Sequence, residues 1–427
     1  MIPNSVSALK SRRRASIATL PPELWEIIFD HATYVPSIFI PEIYEHSGSL
    51  GSHFNRDHHP LIRQALVTKR YLVRVCKKWW HLATPFLYRS IFIGRGRCLL
   101  SLASALALSA CGKGVLLGER SLGSYTERLD IAMRDKSQAH GDADLDLLAE
   151  VILCLPNLAI VSVAVTPSQY RSLSMPDTVM DALTDVAPSL KIIDWASHCL
   201  LPSFHSLQDL VITTQQLHIL HCPYFVVGQT DAMANCILSS CTTLTVPAND
   251  IFSHMSSTQL PALRELVFRS FSVESDPLFI PSLERHGGKL RSVHLHWAGY
   301  LSQINPLLAM HCPHLRRLTI TLDSWESFDI ESIKPLPVEY LGLRYLQGQL
   351  SKRNYTFVFS VLAHLKDAMP TLRTIRFTGS SNVNDLLKNH HKTLIRALEL
   401  FDGSKLRLED HEGRLLSDRV VPLDATS

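Results

Sequence analysis

Residues 155–163 read LPNLAIVSV, a proline followed two residues later by leucine and then by a run of apolar residues. The start of this pattern returns four more times along the chain, each time after a stretch of helical character. Proline interrupts a helix, so each copy marks a junction between a helix and a strand. The copies begin at Leu155-Pro156-Asn157-Leu158, Ala187-Pro188-Ser189-Leu190, Leu260-Pro261-Ala262-Leu263, Cys312-Pro313-His314-Leu315 and Met369-Pro370-Thr371-Leu372.

The strands themselves follow the pattern apolar-x-x-apolar-x-apolar. Most copies are spaced by roughly 20 to 34 residues, as in repeat proteins built from one helix and one strand per unit. Leu207 follows Leu190 too closely for a full helix, so one unit is predicted to be irregular. The triplets are Leu158/Val161/Val163, Leu190/Ile193/Trp195, Leu207/Leu210/Ile212, Leu263/Leu266/Phe268, Leu290/Val293/Leu295, Leu315/Leu318/Ile320, Val338/Leu341/Leu343 and Leu372/Ile375/Phe377, with weaker members at Leu129/Ile131 and Leu244/Val246.

This arrangement resembles a degenerate leucine-rich-repeat domain. The resemblance implies an α/β solenoid over residues 94–400, with a parallel sheet whose alternate side chains face a concave surface. That register puts on the concave face Ser162, Asp194, Val211, Val267, His294, His296, Thr319, Gly342 and Arg376. The surface has no dominant charge and suits a protein or peptide partner. The target-binding candidates are Asp194, His294, His296 and Arg376.

The N-terminal part has a different pattern. Residues 20–32 read LPPELWEIIFDHA, and Leu24, Ile27, Ile28 and His31 recur at helical spacing. Proline is tolerated in the first turn of a helix, and Tyr34-Val35-Pro36 is expected to end it.

A second helical stretch is predicted to begin near Pro60 and to strengthen from Thr68, after a loop near residues 36–66. In this stretch Leu72, Val75, Trp79 and Leu82 would share one face. Thr84-Pro85 has the form of an N-cap with proline at the first helical position, and Ile91-Phe92-Ile93 indicates a strand.

Together, LPPELWEIIFDHAT and LVRVCKKWWHLATPFLYRSIFI are similar to the F-box of a large fungal protein family. The match covers a leucine-proline start, a V-C-(K/R)-x-W core and an L-A-x-P-x-L-Y exit. The resemblance implies docking to a Skp-type adaptor and, through it, to the cullin of a ubiquitin ligase. The expected adaptor-binding residues are Leu20, Pro21, Leu24, Ile27, Ile28, Val75 and Trp79.

The residues support a partner independently of the family resemblance, because two short helices cannot hide this much apolar surface from each other. The alternative is that the same surface packs on the downstream domain, so that the helices cap the solenoid in a scaffold protein. The expected organisation is a flexible tail over 1–18, an F-box-like domain over 19–93, the solenoid over 94–400 and a C-terminal tail over 401–427.

Composition narrows the class of protein further. With 46% hydrophobic residues, 19% charged residues and a formal net charge of +3, the 427-residue chain is predicted to be globular, without a nucleic-acid partner. Nine scattered cysteines without CxxC spacing favour a reducing compartment, and no apolar run is long enough to span a bilayer, so a cytoplasmic or nuclear location is expected.

No motif for a nucleotide, a catalytic nucleophile or a zinc protease occurs. Histidines 46, 53, 58 and 59 could suggest zinc, but a solvated loop explains them without the cysteines or helical spacing of a metal site. We therefore expect no cofactor and no catalysis. A third hypothesis, an enzyme within the repeats, would require a concave pocket with convergent titratable groups.

Overall fold

The computed structural model describes residues 20–35, 38–39, 54–113, 116–117, 120–133, 141–165, 173–195, 200–222, 236–246, 255–269, 279–297, 301–322, 335–345 and 350–420. These residues contain one twelve-stranded sheet in which the strands follow each other in chain order. Every neighbouring pair in this sheet is parallel. The protein is therefore an α/β solenoid, as the repeat pattern predicted.

The sheet strands, numbered in chain order, are mostly four to six residues long. They are β1 Ser90–Ile93, β2 Arg128–Ile131, β3 Ile160–Val163, β4 Ile192–Trp195, β5 Ile219–His221, β6 Thr243–Val246, β7 Glu265–Arg269, β8 Ser292–Trp297, β9 Arg317–Leu322, β10 Tyr340–Tyr345, β11 Thr374–Phe377 and β12 Arg407–Glu409. Among the described residues, two minor pairs of two-residue strands lie outside this sheet, namely Leu116–Leu117 with Arg120–Ser121 and Leu173–Ser174 with Leu200–Leu201.

Within the described ranges, three helices precede the sheet, and the others connect or follow its strands. They are α1 Pro22–Thr33, α2 Phe54–Val75, α3 Lys77–Arg89, α4 Leu99–Ala110, α5 Gly141–Leu153, α6 Asp177–Asp185, α7 Phe204–Thr213, α8 Phe279–His286, α9 Leu301–His311, α10 Lys352–Ala368, α11 Ser380–Asn389, α12 His391–Leu400 and α13 Leu416–Arg419. Short 3₁₀ turns span Gly96–Cys98, Leu122–Tyr125, Ala187–Ser189 and Gly287–Lys289.

The proline–leucine signature has a direct structural meaning. In each copy the leucine N–H donates to the carbonyl three residues earlier, as from Leu158 to Leu155 at 3.2 Å and from Leu315 to Cys312 at 3.2 Å. Proline occupies the second position of this turn, where its fixed φ is favourable and its missing N–H costs nothing. The leucine is then buried at the start of the strand, and one hydrophobic core runs along the solenoid.

One predicted unit is wrong. Leu207, Leu210 and Ile212 belong to helix α7, and the strand of that unit is β5, reached from Leu217 through Leu220 to Cys222. Leu217 lies 27 residues after Leu190, so the repeat is regular there. Apolar residues at spacings of three and two fit a helix as well as this strand pattern, which is why periodicity misplaced the unit.

The predicted boundaries also change at both ends of the chain. Helix α2 begins at Phe54, inside the predicted loop near 36–66, and Thr84-Pro85 lies within α3 instead of capping a new turn. Residues 401–420 are not a tail: β12 pairs with β11, and Leu408 is buried. The predicted tail over 1–18 lies outside the described residues, as do residues 421–427.

Candidate functional site

Helix α1 carries two apolar faces. Phe29 and Thr33 are buried, and half-buried Trp25 continues the same face one turn earlier. Leu24, Ile27 and Ile28 lie on another face and remain 44%, 54% and 43% exposed. A helix needs only one apolar face to pack on its own protein, so this exposed stripe is surplus to folding.

The inner face of α1 packs on an aromatic cluster. The Trp25 and Trp79 rings lie 4.8 Å apart, and Phe29 meets Trp79 at 5.0 Å and Phe86 at 6.4 Å, all measured between ring centroids. Trp79 was predicted to bind the adaptor, but the structure places it half-buried inside this cluster. Its contacts hold α1 against α3 and so position the exposed stripe.

Cys76 separates α2 from α3, where the sequence predicted one continuous helix. Its backbone is extended, with φ of −163° and ψ of 169°, and its Sγ accepts a hydrogen bond from the Trp79 N–H. Cys76 is thus the N-cap of α3. The V-C-K-x-W motif accordingly contains the end of one helix, a cap and the aromatic anchor of the next helix.

Helix α2 adds a second exposed apolar stripe. Val67, Tyr71 and Val75 recur every four residues, and each is more than half exposed. The prediction included Val75 but missed Val67 and Tyr71, although their spacing of four was a readable signal. Among the other predicted residues, Leu20 is half-buried and Pro21 is exposed.

The helices are joined to the sheet by buried polar contacts. Arg128 and Asp130 of β2 form an ion pair that is completely buried, and an Arg128 N–H donates to the Ile38 carbonyl at 2.9 Å. His59 of α2 lies 4.0 Å from the Asp130 carboxylate and meets the Phe92 ring edge-on at 5.0 Å. Buried polar contacts therefore attach the helices to the first strands, beside a small apolar cluster of Val35, Ile38, Ile62 and Ala65.

Lys69 of α2 is a second buried link. Its Nζ donates to the Ser90 hydroxyl at 3.1 Å, at the start of β1. Burial, together with the charge of Arg89, lowers the pKa of Lys69 from 10.5 to about 8, while Asp30 acts in the opposite direction. Because this amine is enclosed and bonded within the chain, it has a packing role.

The predicted target-binding residues all lie in strands of the sheet, but two of them are buried. Asp194 and His294 are less than a tenth exposed. Asp194 pairs with His221 along the sheet, with His221 Nε2 3.9 Å from Asp194 Oδ1, and the His221 ring hydrogen-bonds the Thr245 hydroxyl. This Asp–His–Thr row has residue types found in hydrolases, but a substrate would not reach it because all three side chains are buried.

His296 and Arg376 are more accessible than Asp194 and His294. The His296 ring is half-buried and lies 5.0 Å from the His294 ring. Arg376 donates from Nε and Nη2 to one oxygen of Glu409, at 3.0 and 2.7 Å, and its guanidinium lies 5.5 Å from the centre of the Tyr340 ring. Arg376 is therefore already engaged within the protein. The face of the sheet that carries Asp194 and His294 is therefore a packed polar and apolar row in its middle, not the open surface predicted from the sequence.

We also searched the part of the chain that the structure describes for metal-binding groups and membrane-spanning helices. Within those residues, no group of three or more histidine, cysteine, aspartate or glutamate side chains could hold a metal ion. His46 and His53 of the weighed zinc hypothesis fall outside them. No helix within the same ranges is long and apolar enough to cross a membrane.

No protein-family model matches the chain, and no curated protein matches it. Among solved structures, a Bacteroides fragilis protein determined by a structural genomics consortium is similar over 70% of each chain, with 12% sequence identity and a TM-score of 0.26. The α/β solenoid fold is shown by the strand pairing of this chain itself.

Proposed function

We propose that this protein is the substrate-recognition subunit of a Skp/cullin/F-box ubiquitin ligase. Helix α1 docks the adaptor, and the solenoid binds a target protein. The observation that carries the proposal is the exposed stripe of Leu24, Ile27 and Ile28 on a helix whose other face is already packed. It occurs within the segment whose sequence resembles an F-box.

The energetics favour a real contact at this stripe. Burying the exposed half of a leucine or isoleucine side chain contributes about 1 kcal/mol, so the three residues offer about 3 kcal/mol. A stable interface covers roughly 800 Å² on each partner, more than three side chains supply. Val67, Tyr71 and Val75 of α2 provide further exposed apolar surface for such an interface.

In this function the protein itself carries out no chemical step. It holds the target near a conjugating enzyme recruited by the rest of the ligase, and the high local concentration of the target lysine accelerates transfer. The buried links between the helices and the first strands support this role, because they fix the direction of the solenoid relative to the docking helix.

The test is capture of a purified Skp-type adaptor by the full chain and by the double variant Ile27→Asp/Ile28→Asp. Both side chains are about half exposed, so the variant should keep the wild-type melting temperature and lose the adaptor. The matched control is Ile212→Asp, an equally exposed isoleucine on α7, which should capture the adaptor normally. Wild-type capture by the double variant would refute the proposal.

A second candidate function has one observation in its favour. Helix α3 runs directly into β1, and the Arg128–Asp130 pair ties the first strands to the Ile38 carbonyl, so the helices also cover the start of the sheet. On this alternative the protein is a scaffold whose F-box-like helices act only as a cap. It predicts that no Skp-type adaptor binds the wild-type chain in the same assay.

A further inference from the structure

Three arginines stand side by side at the edge of the sheet where the strands begin. Arg264, Arg291 and Arg316 each immediately precede a strand, namely β7, β8 and β9. The Arg291 N–H donates to the Arg264 carbonyl at 2.8 Å, and the Arg316 N–H donates to the Arg291 carbonyl at 2.9 Å. Adjacent strands are about 4.8 Å apart, so the three form a regular row, which we name the arginine row.

The charges of this row are largely uncompensated. All three side chains are exposed, and within the described residues no carboxylate forms an ion pair with Arg264 or Arg291. Arg316 has one weak partner, Glu339, at 4.0 Å. Like charges placed next to each other across strands destabilise a sheet, so the row lowers stability in the absence of a ligand.

The row lines a groove of about 620 Å³. Pro261 and Pro313 of the repeated turns, together with Pro337, give it apolar walls. Lys289 lies deeper, where its Nζ donates to the Ser257 and Leu260 carbonyls. That lysine is occupied in holding the turn, so the arginines are the groups that face a ligand.

We infer that the arginine row is an anion-binding surface that docks an extended acidic peptide segment of a target protein. Guanidinium groups bind carboxylate and phosphate through paired hydrogen bonds, and a row of them matches a peptide with several acidic or phosphorylated side chains. This inference rests on the proposed function in one respect only. It assumes that the solenoid binds a target protein, and it assigns that binding to the arginine row.

A nucleic acid fits this groove less well. Single-stranded nucleic acids are bound by positive grooves that also offer aromatic side chains on which bases stack. Besides its cations and prolines, this groove is lined by Ala262, Leu263, His314, Leu315, Glu339 and Thr371, and no Phe, Tyr or Trp is among its described lining residues. The net charge of +3 for the whole chain is also low for a protein that binds polyanions in general.

The test measures fluorescence anisotropy with the full-length protein and four labelled probes. These are a 12-residue peptide of alternating serine and glutamate, the same peptide with every serine phosphorylated, a neutral version with glutamine for glutamate, and a 12-nucleotide polyuridine RNA. We expect the two acidic peptides to bind, the neutral one to fail, and affinity to fall as salt is raised. The ratio between the phosphorylated and unphosphorylated peptides shows which anion the row prefers.

The variant Arg264→Gln/Arg291→Gln/Arg316→Gln should weaken binding of the acidic peptides by at least about tenfold. The control Lys352→Gln/Arg353→Gln/Arg396→Gln removes three exposed cations from helices α10 and α12 and should bind like the wild type. Equal loss in both variants, unchanged binding in the first, no binding of either acidic peptide, or tighter binding of RNA than of peptide would each overturn the inference.

Adaptor capture by the same arginine variant separates this inference from the proposed function. The arginine row is far along the chain from α1, so capture should be unchanged. Lost peptide binding with intact adaptor capture is the expected result for this variant. A wild-type chain that binds the acidic peptides but no adaptor would leave the arginine row in place and remove the ligase function.

Discussion

Arg128 and Asp130 lie two residues apart on β2, on the same face of the strand, and form a two-pronged ion pair that is fully buried. Arg128 Nε and Nη2 donate to the two Asp130 oxygens at 2.8 and 2.7 Å. The remaining Nη1 donates to the Ile38 carbonyl at 2.9 Å. The pair compensates its own charge and at the same time attaches the turn after α1 to the sheet.

Replacing only one residue of the Arg128–Asp130 pair should destabilise the protein strongly. Arg128→Met leaves the Asp130 carboxylate buried without its partner, which costs about 3–5 kcal/mol. The double variant Arg128→Met/Asp130→Leu removes both charges and should recover much of that loss. Urea unfolding of the three proteins measures the difference, and a double variant no more stable than Arg128→Met would contradict this explanation.

Trp79→Ala should lower the stability of the protein, and any loss of adaptor binding should follow from that loss. The ring packs between Trp25 and Phe29 and is half-buried, so its removal should cost about 2–3 kcal/mol. Ile27→Asp, on the exposed face, should change the melting temperature little. Thermal unfolding followed by circular dichroism compares them. Equal melting temperatures for wild type and Trp79→Ala would show that the aromatic cluster does not support α1.

The N-cap at Cys76 can be improved. Sulfur is a weak acceptor, and a serine hydroxyl in the same extended conformation is a strongly preferred cap. Cys76→Ser should therefore stabilise the protein by about 0.5 kcal/mol, whereas Cys76→Ala should destabilise it by a similar amount. Chemical denaturation gives both values, and the reverse order of stability would be inconsistent with a capping role.

His286 should make the protein sensitive to acid. Burial lowers its pKa from 6.5 to about 4, with Lys289 adding to the effect. The unfolded chain binds a proton in this interval that the folded chain does not, so stability falls as the pH drops from about 6.5 to about 4. The slope is on the order of 1 kcal/mol per pH unit.

The variant His286→Leu lacks this titration and should lose less stability over the same interval. Urea unfolding at pH 7, 5.5 and 4.5 compares it with the wild type. Parallel pH profiles would show that the ring is not held neutral in the folded state.

The corrected repeat unit also makes a prediction. Leu220 of β5 is fully buried, so Leu220→Ala should cost about 2–5 kcal/mol. Ile212, which the sequence pattern assigned to a strand core, is half exposed on α7, and Ile212→Ala should change stability by less than about 1 kcal/mol. Urea denaturation measures both effects. Similar losses of stability in the two variants would show that β5 is not the strand of this unit.

The repeat architecture was predictable from the sequence because the residues that specify each turn and strand lie close together along the chain. Pro156 and Leu158 fix a turn and the start of a strand within a few residues, and the alternation that follows places the core side chains. The exposed stripe of α1 was readable for the same reason, as three apolar residues at helical spacing. The error at α7 arose because that spacing fits two kinds of element.

What the sequence by itself determined is most of the units, most of their registers and the surplus apolar face of the first helix. Only the tertiary structure decided which polar residues remain accessible. Asp194 and His294 became interior, whereas Arg264, Arg291 and Arg316, far apart along the chain, came to stand side by side on adjacent strands. Burial and alignment of this kind depend on how whole units stack, which periodicity within a single unit does not encode.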